Sequence, residues 1–290
     1  MKYIQVILGC FLIIMCSLNL SAQETMDNQE PFLFPQNASG YQNVLEAKLN
    51  VPLPSATPGP EVKKEIPFQV GERLKYSVGW GKVLDAGTAT IEVEDIIDYE
   101  GHKVYRIVVE AKSNSVFSLF YRVRDTLESL VDVEGLFSRR YWTKQDEAYE
   151  KSERKYEFDQ EKNIAHYKGK DYYIRYGIQD EVSAVFYVRT LDLQVGQPVY
   201  VDIFARGKNW QVKCEVLAIE TIDVPAGKFE TIIVEPELRF DGVMKKGKVK
   251  VWLTNDAHRI PVQVRSKIAI GSILIRLENY RLGTGKKGGE

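Results

Sequence analysis

From Phe68 onward the chain alternates apolar and polar residues with period two, and this pattern limits the folds open to it. "TATIEVE" puts Ala89, Ile91 and Val93 on one face and Thr90, Glu92 and Glu94 on the other. "VYRIVVEA" aligns Tyr105, Ile107, Val109 and Ala111, and "YVDIFA" aligns Val199, Val201, Ile203 and Ala205. "WQVKCEV", "RIPVQVRSK" and "ILIRLEN" repeat the pattern. Strict alternation means strands with one buried and one wet face, the signature of antiparallel sheet. "YEG", "RGKN" and "PAGK" separate the runs with residues that tolerate turn dihedrals. One segment predicts a helix: "QDEVSAVFYVRTL", with Asp180 as cap and Val182, Val185 and Phe186 at helical spacing. "SNSVFSLFYRV" reads as strand with a helical entry. The expected fold is mainly β, with about a dozen strands and one or two short helices. It forms a large curved antiparallel sheet or half-barrel, and the pattern also admits two sub-sheets divided near Tyr176.

The regions outside this domain read differently. "MKYIQVILGCFLIIMCSLNLSAQ" has one early cation, an apolar stretch and then small residues, the order of a secretory signal. Residues 1–22 are expected to be removed after Ala22, with lipoprotein processing at Cys10 or Cys16 as the alternative. Residues 23–66 read as a proline-rich disordered tether, since Pro31, Pro35, Pro52, Pro54, Pro58 and Pro60 all fall there. Residues 67–282 form the β domain and 283–290 a flexible tail. The expected location is the periplasm, near a membrane, with no transmembrane segment in the mature chain. Only Cys214 survives cleavage, so no internal disulfide forms. Its place in an alternating run makes it a buried, inert thiol.

The 290 residues carry a formal net charge of −1, which provides no field to draw in nucleic acid. The lysines of "MKKGKVK" (Lys245, Lys246, Lys248, Lys250) read as a solvated strand face. His102, His166 and His258 are dispersed and lack partners at metal-motif spacing, so neither metal nor cofactor is expected. "GWGKVLDAG" is no phosphate loop, and no G-x-S-x-G elbow exists. Gly79 and Gly81 read instead as relief for a bent strand. Among the acids, Asp125 alternates inward within "RVRDTLES" and calls for a partner, read as a structural ion pair with Arg124. Asp146, Glu147, Glu150 and Glu153 belong to a stretch dense in both signs. Asp256, His258 and Arg259 of "WLTNDAHRIP" read as a polar turn between strands rather than a catalytic cluster. No catalytic residue is expected.

Six segments in this order carry a family resemblance: "GERLKYSVGWGKVLDAGTATIEV", "YRVRDTLESLVD", "YEFDQEK", "DEVSAVFYVRTLDLQVGQ", "VPAGKFETIIVEP" and "VWLTNDAHRIPVQVRSKIAIGSI". Together they resemble the exported Gram-negative bacterial family known as domain of unknown function 3108, over about residues 68–282. The resemblance implies an envelope location and no assigned site. The closing segment also looks like the last hairpin of envelope lipoprotein carriers, half-barrels with an apolar concave face, an analogy at fold level alone. The expectation is a non-catalytic exported protein that binds a lipid or other apolar ligand through Trp80, Phe117, Leu119, Tyr121 and Trp252. An assembly protein binding another envelope protein, and a carbohydrate-binding or glycan-active protein, are the alternatives.

Overall fold

A computed structural model describes residues 65–285, apart from 82, 241–242, 246–248 and 268–271. The expected signal and nearly all of the tether, with Cys10 and Cys16, lie outside the described residues, as do Lys246, Lys248 and the end of the tail. Sixteen strands are described, and fourteen of them form one sheet in the order β8-β7-β6-β5-β4-β3-β2-β1-β16-β15-β14-β11-β10-β9.

The first half of the chain is an antiparallel meander: β1 (Arg73–Trp80), β2 (Val83–Tyr99), β3 (His102–Ser113), β4 (Val123–Asp132), β5 (Ser138–Glu147), β6 (Glu150–Asp159), β7 (Ile164–Tyr167) and β8 (Lys170–Tyr173). The chain then crosses through α1 (Ser183–Thr190) to the far edge. It returns through β9 (Val199–Ala205), β10 (Lys208–Val224), β11 (Gly227–Pro236), β14 (Val249–Thr254), β15 (Pro261–Lys267) and β16 (Ser272–Arg281). β12 (Leu238–Phe240) and β13 (Val243–Lys245) make a separate hairpin. The division near Tyr176 is therefore a crossover and not a gap between sub-sheets, because β1 pairs with β16 and joins the halves. Two-residue turns close several hairpins as expected: Glu100–Gly101 and Arg206–Gly207 both adopt positive φ.

The sheet curls until its edges nearly meet. The ladder stays open between β8 and β9, and residues 174–180 fill that seam. Gln179 makes a parallel bridge to Ile203, donating to the Asp202 carbonyl at 2.9 Å and accepting from the Phe204 amide at 2.9 Å. Asn209 Nδ2 donates to the Tyr173 carbonyl at 2.7 Å. Seam residues thus satisfy backbone groups that two bare edges would leave open. β2 and β3 approach closely at Gly87, where a Cβ would lie 2.3 Å from the Lys112 carbonyl oxygen, so no larger residue fits.

Alternation puts the core on the inner face. Tyr76, Val78, Ile91, Ile107, Val264, Ile275 and Leu277 are all 3% exposed or less. α1 lies across the lower end. Asp180 caps it as expected, accepting from the Val182 and Ser183 amides at 2.6 and 2.8 Å, while its second oxygen accepts from Ser129 and Ser138 hydroxyls at 2.5 Å each. Arg189 of α1, wholly buried, forms a bidentate pair with Glu72 at 2.7 and 2.8 Å. It also donates to the carbonyls of His258 and Pro67.

Candidate functional site

Strand register determines which side chains share the interior. Directly opposed residues face the same way, so the pairs Ala111–Asp125, Asp125–Gln145 and Gln145–Ser152 define one inner row. The next row is Val109, Leu127, Thr143 and Arg154, and below it lie Ile107, Ser129, Tyr141, Tyr156 and Tyr167. The inner face of β4 to β6 therefore carries a polar strip within an interior that is apolar over β14, β15, β16, β1 and β2 except for Ser266.

The strip is buried by degrees. Thr143, Tyr141 and Tyr156 are 2% exposed or less, whereas Ser152 and Arg154 are half-buried toward the upper end. Arg154 Nη2 donates to Gln145 Oε1 at 2.6 Å. Four buried atoms here have no well-formed hydrogen bond: Arg154 Nε, Thr143 Oγ1, Tyr141 Oη and Tyr156 Oη. Glu181, itself buried, acts on Tyr141 by charge and a hydrogen-bonding contact and on Arg154 by charge, and Tyr167 makes a similar contact with Tyr156. Tyr156 stacks between Tyr141 and Tyr167, with ring centroids 5.7 and 4.3 Å away.

Burial dominates the acid chemistry. It raises the Asp125 carboxyl to about 7, and nearby Glu147 adds to the rise while hydrogen bonds from Gln145 and the Asp146 amide oppose it. Glu147 is also raised, by burial, although Tyr121 donates its hydroxyl to it. Asp180 rises to about 6 because burial outweighs its four hydrogen bonds. Among the described residues no group of three His, Cys, Asp or Glu is arranged to hold a metal ion. Cys214 is buried, with its thiol pushed up to about 12.

The residues singled out in the sequence separate into different surroundings. Residues 114–122 fold over the upper end, where Phe117 packs edge-on against Trp80 at 5.5 Å and Tyr121 is buried. Of the strand with a helical entry expected here, the entry is a 3-10 turn, Phe117–Leu119, where Asn114 Oδ1 accepts from the Phe117 amide, and the strand starts only at Val123. This turn corrects the placing of Leu119, which points to solvent at 82% exposure, beside exposed Val116 and Phe120. Trp252 is a second correction. It faces the other side of the sheet from Val251 and Leu253, buried there, with its indole donating to Glu220 at 2.6 Å and Arg265 over its ring.

The expected Arg124–Asp125 ion pair is a third correction. Neighbours on one strand face opposite ways, so Arg124 is exposed while Asp125 is inside. Glu128 is likewise outside, paired with Arg106 at 2.6 Å and with Arg140. In "WLTNDAHRIP" one Asp256 oxygen accepts from the Thr254 hydroxyl and from the His258 and Arg259 amides, which makes a tight turn as expected. Thr143 and Arg154 were missed because neither sits in an apolar run. The register pair Thr143–Arg154 is what brings them together.

Among solved structures, the chain is similar to a β-barrel-like protein of domain of unknown function DUF1849 from Brucella abortus (TM-score 0.50, 10% identity, 77% of this chain and 99% of that one). A Bacteroides fragilis protein described as exported, with a YmcC-like fold, gives TM-score 0.31 and 10% identity over 74% of this chain and 98% of its own. A Parabacteroides distasonis protein described as a lipoprotein gives 0.35 and 10% over 74% and 98%. Only the first bears on the fold, which it matches as a barrel-like sheet. No curated protein matches. The model of the family described as protein of unknown function (DUF3108) matches residues 75–278, and the chain belongs to that family.

Proposed function

We propose that the chain is an exported envelope protein of the periplasm that performs no catalysis and carries a lipid or similar ligand inside the curl of its sheet. One observation carries this reading: on the largely apolar inner face of the sheet, the Thr143 hydroxyl and Arg154 Nε are buried without a hydrogen bond, and the buried Tyr141 and Tyr156 hydroxyls have only imperfect contacts, with Glu181 and Tyr167. Each orphan costs about 1–3 kcal/mol, a cost that an all-apolar packed core would not bear. A ligand with an apolar body and a polar end offsets it. The signal-like N-terminus and the family support the location. No helix among the described residues is long and apolar enough to cross a membrane. Organic extraction of the protein purified from an envelope fraction, followed by mass spectrometry, tests the reading. A co-purified acyl lipid at near-equal molar amount is expected, and its repeated absence contradicts it.

A second reading, an assembly protein that binds another envelope protein, draws on Val116, Leu119 and Phe120. These stand 67%, 82% and 74% exposed on one turn at the upper end.

A further inference from the structure

The strip also constrains the chemistry of the ligand's polar end, an inference that rests on the reading just given. Arg154 Nε can only donate and the Thr143 hydroxyl can donate, both without a protein partner, while the Tyr141 and Tyr156 hydroxyls beside them are shared imperfectly with Glu181 and Tyr167. All four groups come from neighbouring inner positions of β5 and β6, and Tyr141 pairs directly with Tyr156 as Thr143 does with Arg154. A ligand end placed here meets donors and must supply acceptor oxygens.

Charge then selects among acceptors. The strip holds one guanidinium, Arg154. Glu181 acts on it from below, while the inner-side Asp125 and Glu147 carboxyls above it are raised by burial and add no base. Gln145, the side chain that Arg154 does engage, is neutral. A phosphate or carboxylate would bring a further acid to a site whose one cation already has Glu181 beside it, where solvent screening is weak. An ester or amide carbonyl, or a hydroxyl, accepts the same hydrogen bonds without that repulsion. The stacked rings of Tyr141, Tyr156 and Tyr167 floor the strip, and the facing apolar wall suits an acyl chain.

We propose that Thr143, Arg154, Tyr141 and Tyr156 bind the neutral, oxygen-bearing head of an acyl ligand of the glycerol-ester class, and that the site rejects phosphate and carboxylate heads. Calorimetric titration of the full exported protein with monoolein, oleate and lysophosphatidate, which share one chain, tests this. N-phenyl-1-naphthylamine serves as an apolar probe with no acceptor head. Monoolein is expected to bind at least about tenfold more tightly than either anion. Thr143→Val, which keeps the shape, and Arg154→Met are each expected to weaken monoolein about tenfold and to leave the naphthylamine unchanged, so that its binding also reports an intact fold. A smaller preference, or variants that bind monoolein as well as the parent, overturns the head-group assignment and leaves the carrier reading standing. If neither the naphthylamine nor any oleoyl compound binds, the carrier reading itself falls.

Discussion

Asp125 illustrates how position decides what a residue does. Its inward direction was legible from the alternation of "RVRDTLES", but the sequence pointed to the wrong partner, because Arg124 necessarily faces the other way. Inside, the carboxyl meets Gln145, the Asp146 amide and the field of Glu147, and burial holds it near 7. The folded state then binds a proton that the unfolded chain has released once the pH passes the ordinary carboxylate range. Stability contributed at this position is therefore full at low pH and is lost as the pH rises toward 7. Asp125→Asn removes the loss. The variant is expected to match the parent near pH 4 and to exceed it increasingly up to pH 8, by about 4 kcal/mol at most at about 1.4 kcal/mol per unit. Urea unfolding across that range checks the direction, and a variant advantage that shrinks as pH rises contradicts it.

At the scale of elements, the strands and α1 were readable because each rests on local period: two for the strands, helical spacing with an Asp180 cap for the helix. What no local pattern encodes is the joining of distant segments. Arg189 and Glu72 are separated by 117 positions, and neither lies in a motif, yet their bidentate pair ties α1 to the segment that enters β1. The turn at residues 254–261 joins the same knot through the His258 carbonyl. The 3-10 turn that carries Leu119 was hidden for a related reason: apolar residues at Val116, Phe117, Leu119 and Phe120 fit either period, and the Asn114 side chain decides between them. Arg189→Met strands the Glu72 charge in the interior and is expected to cost about 3–5 kcal/mol, read by urea or thermal unfolding. Replacing Glu72 with Gln in the same chain should restore part of that loss, since the buried charge is then gone. Equal stability of parent and single variant would remove the ion pair from its structural role.

For the whole molecule, one sheet of fourteen strands rolls until residues 174–180 bridge its two edges, and α1 covers the lower end. The roll was foreseeable from the number of strands, whereas the strand order and the seam depend on pairings between the two ends of the chain. The polar strip is a product of that same register. Thr143 and Arg154 lie in a stretch dense in charges of both signs, and only pairing of β5 with β6 turns them inward together. The central claim is that an acyl ligand occupies the inner side of the sheet against this strip. Photo-crosslinking with a diazirine-bearing oleoylglycerol, followed by peptide mapping, tests it most directly. Adducts confined to inner-face residues of β4 to β6 and the facing apolar strands are the predicted result. Adducts confined to exposed Leu119 and Phe120 or to the outer face around Trp252, with the interior unlabelled, would contradict it.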